Sequence, residues 1–359
     1  MEGMRRENSM IVVMKMGATP DQIEAVCAKI RELGYRDRPI QGVERTVVAV
    51  LGQVYPEMVD EFAVMDGVET VLRVSKPYKL ASREVHPFDT VVRVGGLEIG
   101  NGQIVVMAGQ CSIDTEEYTM ATARAVKEAG AHILRGGAFK PRTNPHTFEG
   151  HGRRGLELLA RAKAETGLPI ITEVLDPRDV EMVAETADIL QIGSRNGQNF
   201  ALLKEVGRTD KPVLLKRGMW ATVEEWLLAA EHIMSQGNHN VILCERGIRT
   251  FETATRFTFD VNAIPLVKRE SHLPVIADPS HGTGRWYLVE PVALAAIAAG
   301  ADGLIIEVHV SPDHALSDGA QSLTPENFAR LMERLRGLCE ALGRPLHPPA
   351  VEAQRASTS

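Results

Sequence analysis

From residue 103 onward, short apolar runs rich in β-branched residues alternate with longer stretches rich in alanine and leucine. The runs fall at 104–107, 132–134, 169–172, 189–192, 212–215, 241–244, 274–277 and 304–306. A short, unbroken apolar run is what a strand buried on both faces requires, and the intervening stretches have helical length and pattern. The runs recur every 20 to 40 residues or so, which is the repeat of a βα unit. Eight such units in roughly 240 residues predict an α/β fold closed into a (β/α)8 barrel. The competing topology, an open doubly wound sheet, lacks its usual mark, because no G-x-G-x-x-G follows the first strand.

Residues 10–79 follow a different rhythm. Strand-like runs at 11–14, 46–51 and 68–73 are interleaved with two helical stretches. The first helix starts at Thr19-Pro20-Asp21, a hydroxyl cap followed by proline in the first turn and an acid near the positive helix end. It runs to Leu33, and Gly34 stops it; the second spans about 56–65. With a weakly marked strand near 37–42, the order is βαββαβ, which predicts a small α+β ferredoxin-like domain. Residues 1–9 read as an N-terminal tail, 80–100 as a connector with some extended structure, 101–342 as the barrel, and 343–359 as a frayed C-terminal tail.

The chain has 359 residues, 44% of them hydrophobic, so a large core is available. Its formal net charge of −7 argues against nonspecific nucleic-acid binding as the main function. The four cysteines, at 27, 111, 244 and 339, form no C-x-x-C pair and no disulfide framework. The charged start of the chain is unlike a signal peptide, and no apolar run reaches membrane-spanning length. The expectation is a cytoplasmic protein without membrane or nucleic-acid partners.

Chemistry collects where the barrel strands end. The first strand is followed by Gly109 and Cys111, the second by Arg135, Lys140 and Arg142, the third by Glu173, and the fourth by Ser194 and Arg195. Lys216 and Arg217 follow the fifth, Glu245 and Arg246 the sixth, Asp278 and His281 the seventh, Glu307 and His309 the eighth. A single charged strand end is ordinarily a solvated loop or an ion pair. Eight in succession, at the end of the barrel where active sites form, predict a ligand-binding mouth. Arg135, Lys140, Arg142, Arg195, Lys216 and Arg246 pointing into one cavity would repel one another unless they bind anions, with phosphates and a carboxylate the natural partners. The plainer alternative pairs them with Glu173, Glu245 and Asp278 alone. Cys111, His281, Glu307 and Asp318 could converge, because the first and eighth strands are neighbours in a closed barrel. Their mixed S/N/O donors suit Mn²⁺, Fe²⁺, Co²⁺ or Zn²⁺. Taken alone, Cys111 reads as a buried hydrophobe.

Several motifs carry a family resemblance: A-G-Q-C-S at 108–112, L-R-G-G-A-F-K-P-R-T at 134–143, Q-I-G-S-R-N at 191–196, L-L-K-R-G at 214–218, L-C-E-R-G-I-R-T at 243–250, D-P-S-H-G at 278–282, I-I-E-V-H at 305–309 and L-S-D-G-A-Q-S at 316–322. With them the barrel resembles the type I 3-deoxy-7-phosphoheptulonate (DAHP) synthases, and the N-terminal unit resembles the ferredoxin-like regulatory domain of one subgroup. The resemblance implies condensation of phosphoenolpyruvate with erythrose 4-phosphate, the first step of the shikimate pathway. It implies that Cys111, His281, Glu307 and Asp318 bind a divalent metal, with Mn²⁺ foremost. It places phosphoenolpyruvate on Arg135, Lys140, Arg195, Lys216 and Arg246, with Ser194 near its phosphate. Arg142 and Thr143 would meet the aldehyde's phosphate, and Asp278 would lie near metal and sugar. Lys140 is the expected proton donor, while Glu173 and Glu245 would position water or tune nearby cations. The resemblance also implies a tyrosine or phenylalanine effector and a homotetramer.

The sister 3-deoxy-octulosonate 8-phosphate synthases are the nearest alternative. They typically carry Ala-Asn where this chain has Pro141-Arg142; an arginine there shortens the pocket and suits a four-carbon aldehyde. A further alternative is a non-catalytic, effector-binding barrel. One departure from the family is Gln110, which replaces the proline usual before the metal cysteine. It is expected to restore backbone freedom and to alter loop rigidity or metal affinity.

Overall fold

The computed structural model describes residues 9–42, 45–51, 55, 58–74, 76–142, 144 and 146–348. The chain divides into two compact units, one holding the residues up to Asp89 together with Arg269–His272, the other holding the rest.

The first unit runs β1 (Ser9–Met14), α1 (Pro20–Glu32), β2 (Arg36–Gln41), β3 (Thr46–Leu51), α2 (Met58–Ala63) and β4 (Val68–Val74). Its antiparallel sheet has the order β2-β3-β1-β4, the expected ferredoxin-like arrangement. Helix α1 begins with a capping box in which the Thr19 and Gln22 side chains each satisfy the other's backbone N–H. Alternation along β1 sorts the core: Met10, Val12 and Met14 pack with Val26, Ile30 and Phe62, while Ile11 and Val13 join Val47, Ala49 and Val85. Strand β2 was faint in the sequence for a physical reason. It is a half-exposed edge strand, so it needs no apolar run and tolerates Pro39.

The second unit opens with a hairpin of β5 (Val92–Val94) and β6 (Leu97–Ile99). Gly95 and Gly96 turn it, both at positive φ. The barrel strands follow as β7 (Val105–Gly109), β8 (Ile133–Arg135), β9 (Ile170–Glu173), β10 (Ile189–Ile192), β11 (Val213–Lys216), β12 (Val241–Glu245), β13 (Val275–Ala277) and β14 (Gly303–Glu307). All eight are parallel and close on themselves through β14 and β7. The helices between and around them are α3 (Glu116–Glu128), α4 (Arg153–Thr166), α5 (Val180–Thr186), α6 (Phe200–Val206), α7 (Val223–Met234), α8 (Ala263–Glu270), α9 (Pro279–Thr283), α10 (Trp286–Ala298) and α11 (Pro325–Ala341). None of the described helices is long and apolar enough to cross a membrane.

The barrel interior is a layered plug. Val105, Met107, Ile133, Ile171, Ile189, Leu214, Ile242, Cys244, Ile276 and Ile305 share one cluster with Val92, Val94, Leu97 and Ile99 of the hairpin. A Cβ at Gly95 or Gly100 would meet Pro169 or Pro274, the residues just before β9 and β13. The hairpin therefore caps the N-terminal end of the barrel.

Residues 343–348, expected to belong to a frayed tail, are held by backbone pairing. Ile104 N donates to Pro345 O, and His347 N donates to Ile104 O, both at 2.9 Å. His347 is buried beside His132, with ring centroids 5.9 Å apart. The polar composition concealed this because backbone pairing with Ile104, not an apolar run, holds the segment. Residues 349–359 lie outside the described residues.

Candidate active site

The inward set of barrel residues continues at each strand's C-terminal end into polar chemistry. Counting by two, Ile133 leads to Arg135, Ile171 to Glu173, Leu214 to Lys216, Cys244 to Arg246, Ile276 to Asp278 and Ile305 to Glu307. The same alternation that fills the core thus delivers cations and carboxylates above it.

Four groups converge there. One donor atom from each of Cys111, His281, Glu307 and Asp318 lies within 4.8 Å of every other. The D-P-S-H sequence accounts for His281. Asp278 caps the short helix α9, accepting from His281 N at 2.9 Å, with Pro279 in the first turn. Its second oxygen lies 2.8 Å from His281 Nδ1. The carboxylate can only accept, so Nδ1 carries the proton and Nε2 presents a lone pair. That lone pair faces Glu307 Oε1 at 3.2 Å. Burial lowers the His281 pKa to about 4, despite the opposing pull of Asp278 and Glu307. The ring is neutral at pH 7, and two lone pairs then face each other in a buried place. A cation between them resolves the conflict, so these residues fit a divalent metal.

The other two ligands agree. Burial pushes the Cys111 thiol up to about 12, helped by Glu307 and opposed by Lys140; a metal would release that proton. Lys140 Nζ contacts Cys111 Sγ and lies 2.7 Å from Asp318 Oδ2. Asp318 is held far below the usual carboxylate range, because Lys140 and Arg256 outweigh its burial. It has φ 52°, the only positive φ among the described non-glycine residues, a conformation Asp tolerates better than most. Glu307, also lowered, is fully buried, with Arg135 at 3.1 Å on one oxygen and Gln321 at 2.7 Å on the other.

Beside this cluster lies a cleft of about 300 Å³ lined by Lys140, Arg142, Glu173, Ser194, Arg195, Lys216, Arg246, Arg256, His281 and Asp318, among others. The structure brings most of the expected site residues to one mouth, but not all of them into the cleft. Arg135 is buried beneath it, donating to Gln110 O and Glu307. Asp278 is likewise beneath, 2.5 Å from Lys216 Nζ. Glu245 is out of the inward phase by one residue and does not line the cleft. It is fully buried, accepting from Arg217 Nη1 at 2.9 Å and from Gly247 N at 2.7 Å. Thr143 lies outside the described residues. Ser194 spends its hydroxyl proton on Arg217 O.

Several cations are paired, as the plainer alternative expected: Lys216 with Asp278, Arg217 with Glu245 and Asp260. Arg246 is not. It is 4% exposed, and its Nε and Nη1 have no partner among the described residues. Burial lowers its pKa; Asp278 opposes this and Arg256 adds to it. Buried donors left unpaired at a cleft wall call for an anion. Glu173 is raised, chiefly by burial against the pull of Lys216 and Lys140. The Gln110 side chain is itself anchored. Its Oε1 accepts from Thr119 Oγ1 at 3.0 Å and Asp114 N at 3.3 Å, pinning the segment after Cys111 to α3. Sequence reasoning did not single out Arg256, in the long loop after β12, or Gln321, in a single 3-10 turn (Gly319–Gln321) within the motif at 316–322.

This geometry agrees with what the chain resembles. The DAHP synthetase I family matches residues 80–342, and the DAHP synthase ferredoxin-like domain matches residues 10–76. A phospho-2-dehydro-3-deoxyheptonate aldolase of Thermotoga maritima is 50% identical over 334 residues, 93% of this chain and 99% of that protein. The crystal structure of phospho-2-dehydro-3-deoxyheptonate aldolase from that organism matches 95% of this chain and 100% of its own, with TM-score 0.75 and 49% identity. A 2-dehydro-3-deoxyphosphooctonate aldolase of Syntrophobacter fumaroxidans is 32% identical over 67% of this chain and 88% of its own. The chain belongs to the DAHP synthetase I family. It is an enzyme, a transferase of aldolase type in the shikimate pathway, and the family is generally metal-dependent.

Proposed function

We propose that this enzyme condenses phosphoenolpyruvate with erythrose 4-phosphate and water to give 3-deoxy-arabino-heptulosonate 7-phosphate and inorganic phosphate, with a divalent ion held by Cys111, His281, Glu307 and Asp318. The observation that carries the reading is the opposition of the His281 Nε2 lone pair and Glu307 Oε1 at 3.2 Å, beside a cleft whose Arg246 has unsatisfied N–H groups. Mn²⁺ is the first choice for the ion, with Fe²⁺, Co²⁺ and Zn²⁺ compatible with the donors, and when bound it supplies Lewis-acid polarisation of the aldehyde carbonyl.

The chain's own residues do the rest. Arg135, Lys140, Arg195, Lys216 and Arg246 hold phosphoenolpyruvate, with Ser194 beside its phosphate, while Arg142 and Thr143 hold the phosphate of the aldehyde. Fixing both substrates brings C3 of phosphoenolpyruvate onto the aldehyde carbon. Lys140 stays protonated because Cys111, Asp318 and Glu307 outweigh its burial, and it donates to the oxygen that becomes the new hydroxyl. Glu173, raised by burial, takes a proton from the water that adds at C2. The resulting hemiketal phosphate breaks its C–O bond and phosphate departs. Glu245 acts indirectly by holding Arg217; Asp278 orients His281 and Lys216.

Arg142 lines the cleft and favours the four-carbon aldehyde over the five-carbon arabinose 5-phosphate of the octulosonate synthases. The ferredoxin-like unit is proposed to bind tyrosine or phenylalanine and slow the reaction, within a cytoplasmic homotetramer. The test is phosphate release from phosphoenolpyruvate with Mn²⁺, comparing the two aldehydes, with and without chelator and with and without tyrosine. Chelator-sensitive release with erythrose 4-phosphate supports the reading. A preference for arabinose 5-phosphate moves the activity to the sister family, and release unaffected by chelation refutes the metal.

A further inference from the structure

We propose that Arg256 is a further substrate-binding residue that pairs with Arg246 to clamp a phosphate dianion. The inference deepens the proposed reaction and rests on it.

Arg246 and Arg256 lie on one long loop after β12. The loop doubles back: Ile248 and Thr258 exchange backbone hydrogen bonds, each at 2.9 Å. Arg256 N donates to Thr283 O at 3.0 Å, and a Cβ at Gly284 would lie 2.4 Å from Arg256 Cβ. Glycine is thus required for Arg256 to sit where it does. Nη1 is tethered twice, to Asp318 Oδ1 at 3.0 Å and Gln321 Oε1 at 2.8 Å.

The rest of the guanidinium is uncommitted. Arg256 lines the cleft, and its Nε and Nη2 donate to no described residue. Arg246 reaches the same cleft with its own unpartnered Nε and Nη1. Both guanidiniums pack on the ring of Phe257, at 4.1 and 5.9 Å from its centroid. Asp318 neutralises only Arg256, so two guanidiniums that share one ring and present spare donors to one cleft still lack a counter-charge for Arg246, which a polyvalent anion supplies. A phosphate monoester, with two charges and several acceptor oxygens, satisfies both forks. It could come from phosphoenolpyruvate or from the sugar aldehyde.

The experiment compares wild type, R256A and R256K. Inorganic phosphate is titrated into each by calorimetry, KM is measured for both phosphorylated substrates, and Mn²⁺ affinity is read by electron paramagnetic resonance. R256A is expected to weaken phosphate binding and to raise one KM by tenfold or more, with Mn²⁺ affinity changed by less than threefold. R256K recovers only part, since charge survives and the fork does not. The KM that moves identifies the substrate concerned. Phosphate affinity and both KM values within twofold of wild type in R256A overturn the clamp. So does a loss confined to Mn²⁺ affinity, which would assign Arg256 to supporting Asp318. Should the wild type fail to turn over both substrates, the proposed reaction falls, while the phosphate titration still decides the clamp.

Discussion

Gly193 sits where a methyl group would reach the proposed acid–base residue. A Cβ added there would lie 2.0 Å from Glu173 Oε1 and 2.8 Å from its Cδ, against a comfortable separation of about 3.5 Å. Glu173 must therefore retreat by about 1 Å or more. Gly193 itself has φ −69° and ψ 159°, ordinary extended backbone that alanine adopts without strain. The G193A substitution thus displaces one carboxylate and leaves the fold alone. A catalytic group misplaced by about 1 Å costs on the order of 100-fold in rate, about 2.7 kcal/mol of transition-state stabilisation. The expected result is a kcat lower by about 100-fold, with melting temperature and Mn²⁺ affinity nearly unchanged. Phosphate release at saturating substrates measures the first, thermal melting and metal titration the others. A kcat within threefold of wild type, in a protein that melts normally, would refute the argument that Glu173 must stand where it does. E173Q separates the remaining possibilities: if it is inactive while G193A is not, the carboxylate is needed but tolerates displacement.

Cys111→Ser should weaken Mn²⁺ binding by at least tenfold, read by direct metal titration. Arg217→Met leaves Glu245 buried without its partner and should destabilise by about 3–5 kcal/mol, whereas the double substitution with Glu245→Leu recovers most of it; denaturant melts of the three variants check this. His132 is buried and its pKa is lowered to about 4 from 6.5, mainly by desolvation. The unfolded chain therefore takes up a proton that the folded one refuses, so stability should fall as pH drops from about 6.5 to about 4, by roughly 3 kcal/mol from this residue. His132→Gln should flatten that slope in melts run across the range. Arg142→Ala should raise the KM for erythrose 4-phosphate by about tenfold or more, since a charge-assisted phosphate contact is lost, and leave that for phosphoenolpyruvate nearly unchanged in steady-state assays.

The barrel was legible because its strands are buried on both faces, so each shows as an apolar run. Edge strand β2 was faint because half its surface meets solvent. The Gly95-Gly96 pair between two V/L/I triplets is a hairpin signal that the sequence reading took only as a connector with some extended structure. The chemistry at the mouth was legible as a list, since strand ends can be located from the runs. Depth and phase were not read. Counting by two from the interior set puts Glu173, Lys216 and Arg246 at the cleft and sets Glu245 aside, yet it cannot tell that Arg135 stops below. Arg256 and Gln321 reach the site through loop geometry, and no periodicity encodes that. For Gln110 only the backbone entered the expectation; its side chain, which bonds Thr119 and Asp114, did not.

The hairpin wedged into the N-terminal end of the barrel leaves the cleft at the opposite, C-terminal end as the way in. Lys216 and Arg246 are each 4% exposed, while Arg195 stands in solvent. A molecule seated on the deep pair is covered by whatever occupies the rim, so traffic must queue: the deeper guest enters first, and its remnant cannot depart until the rim clears. With both substrates present, a large excess of the rim substrate over the deep one should then slow turnover by blocking the shaft.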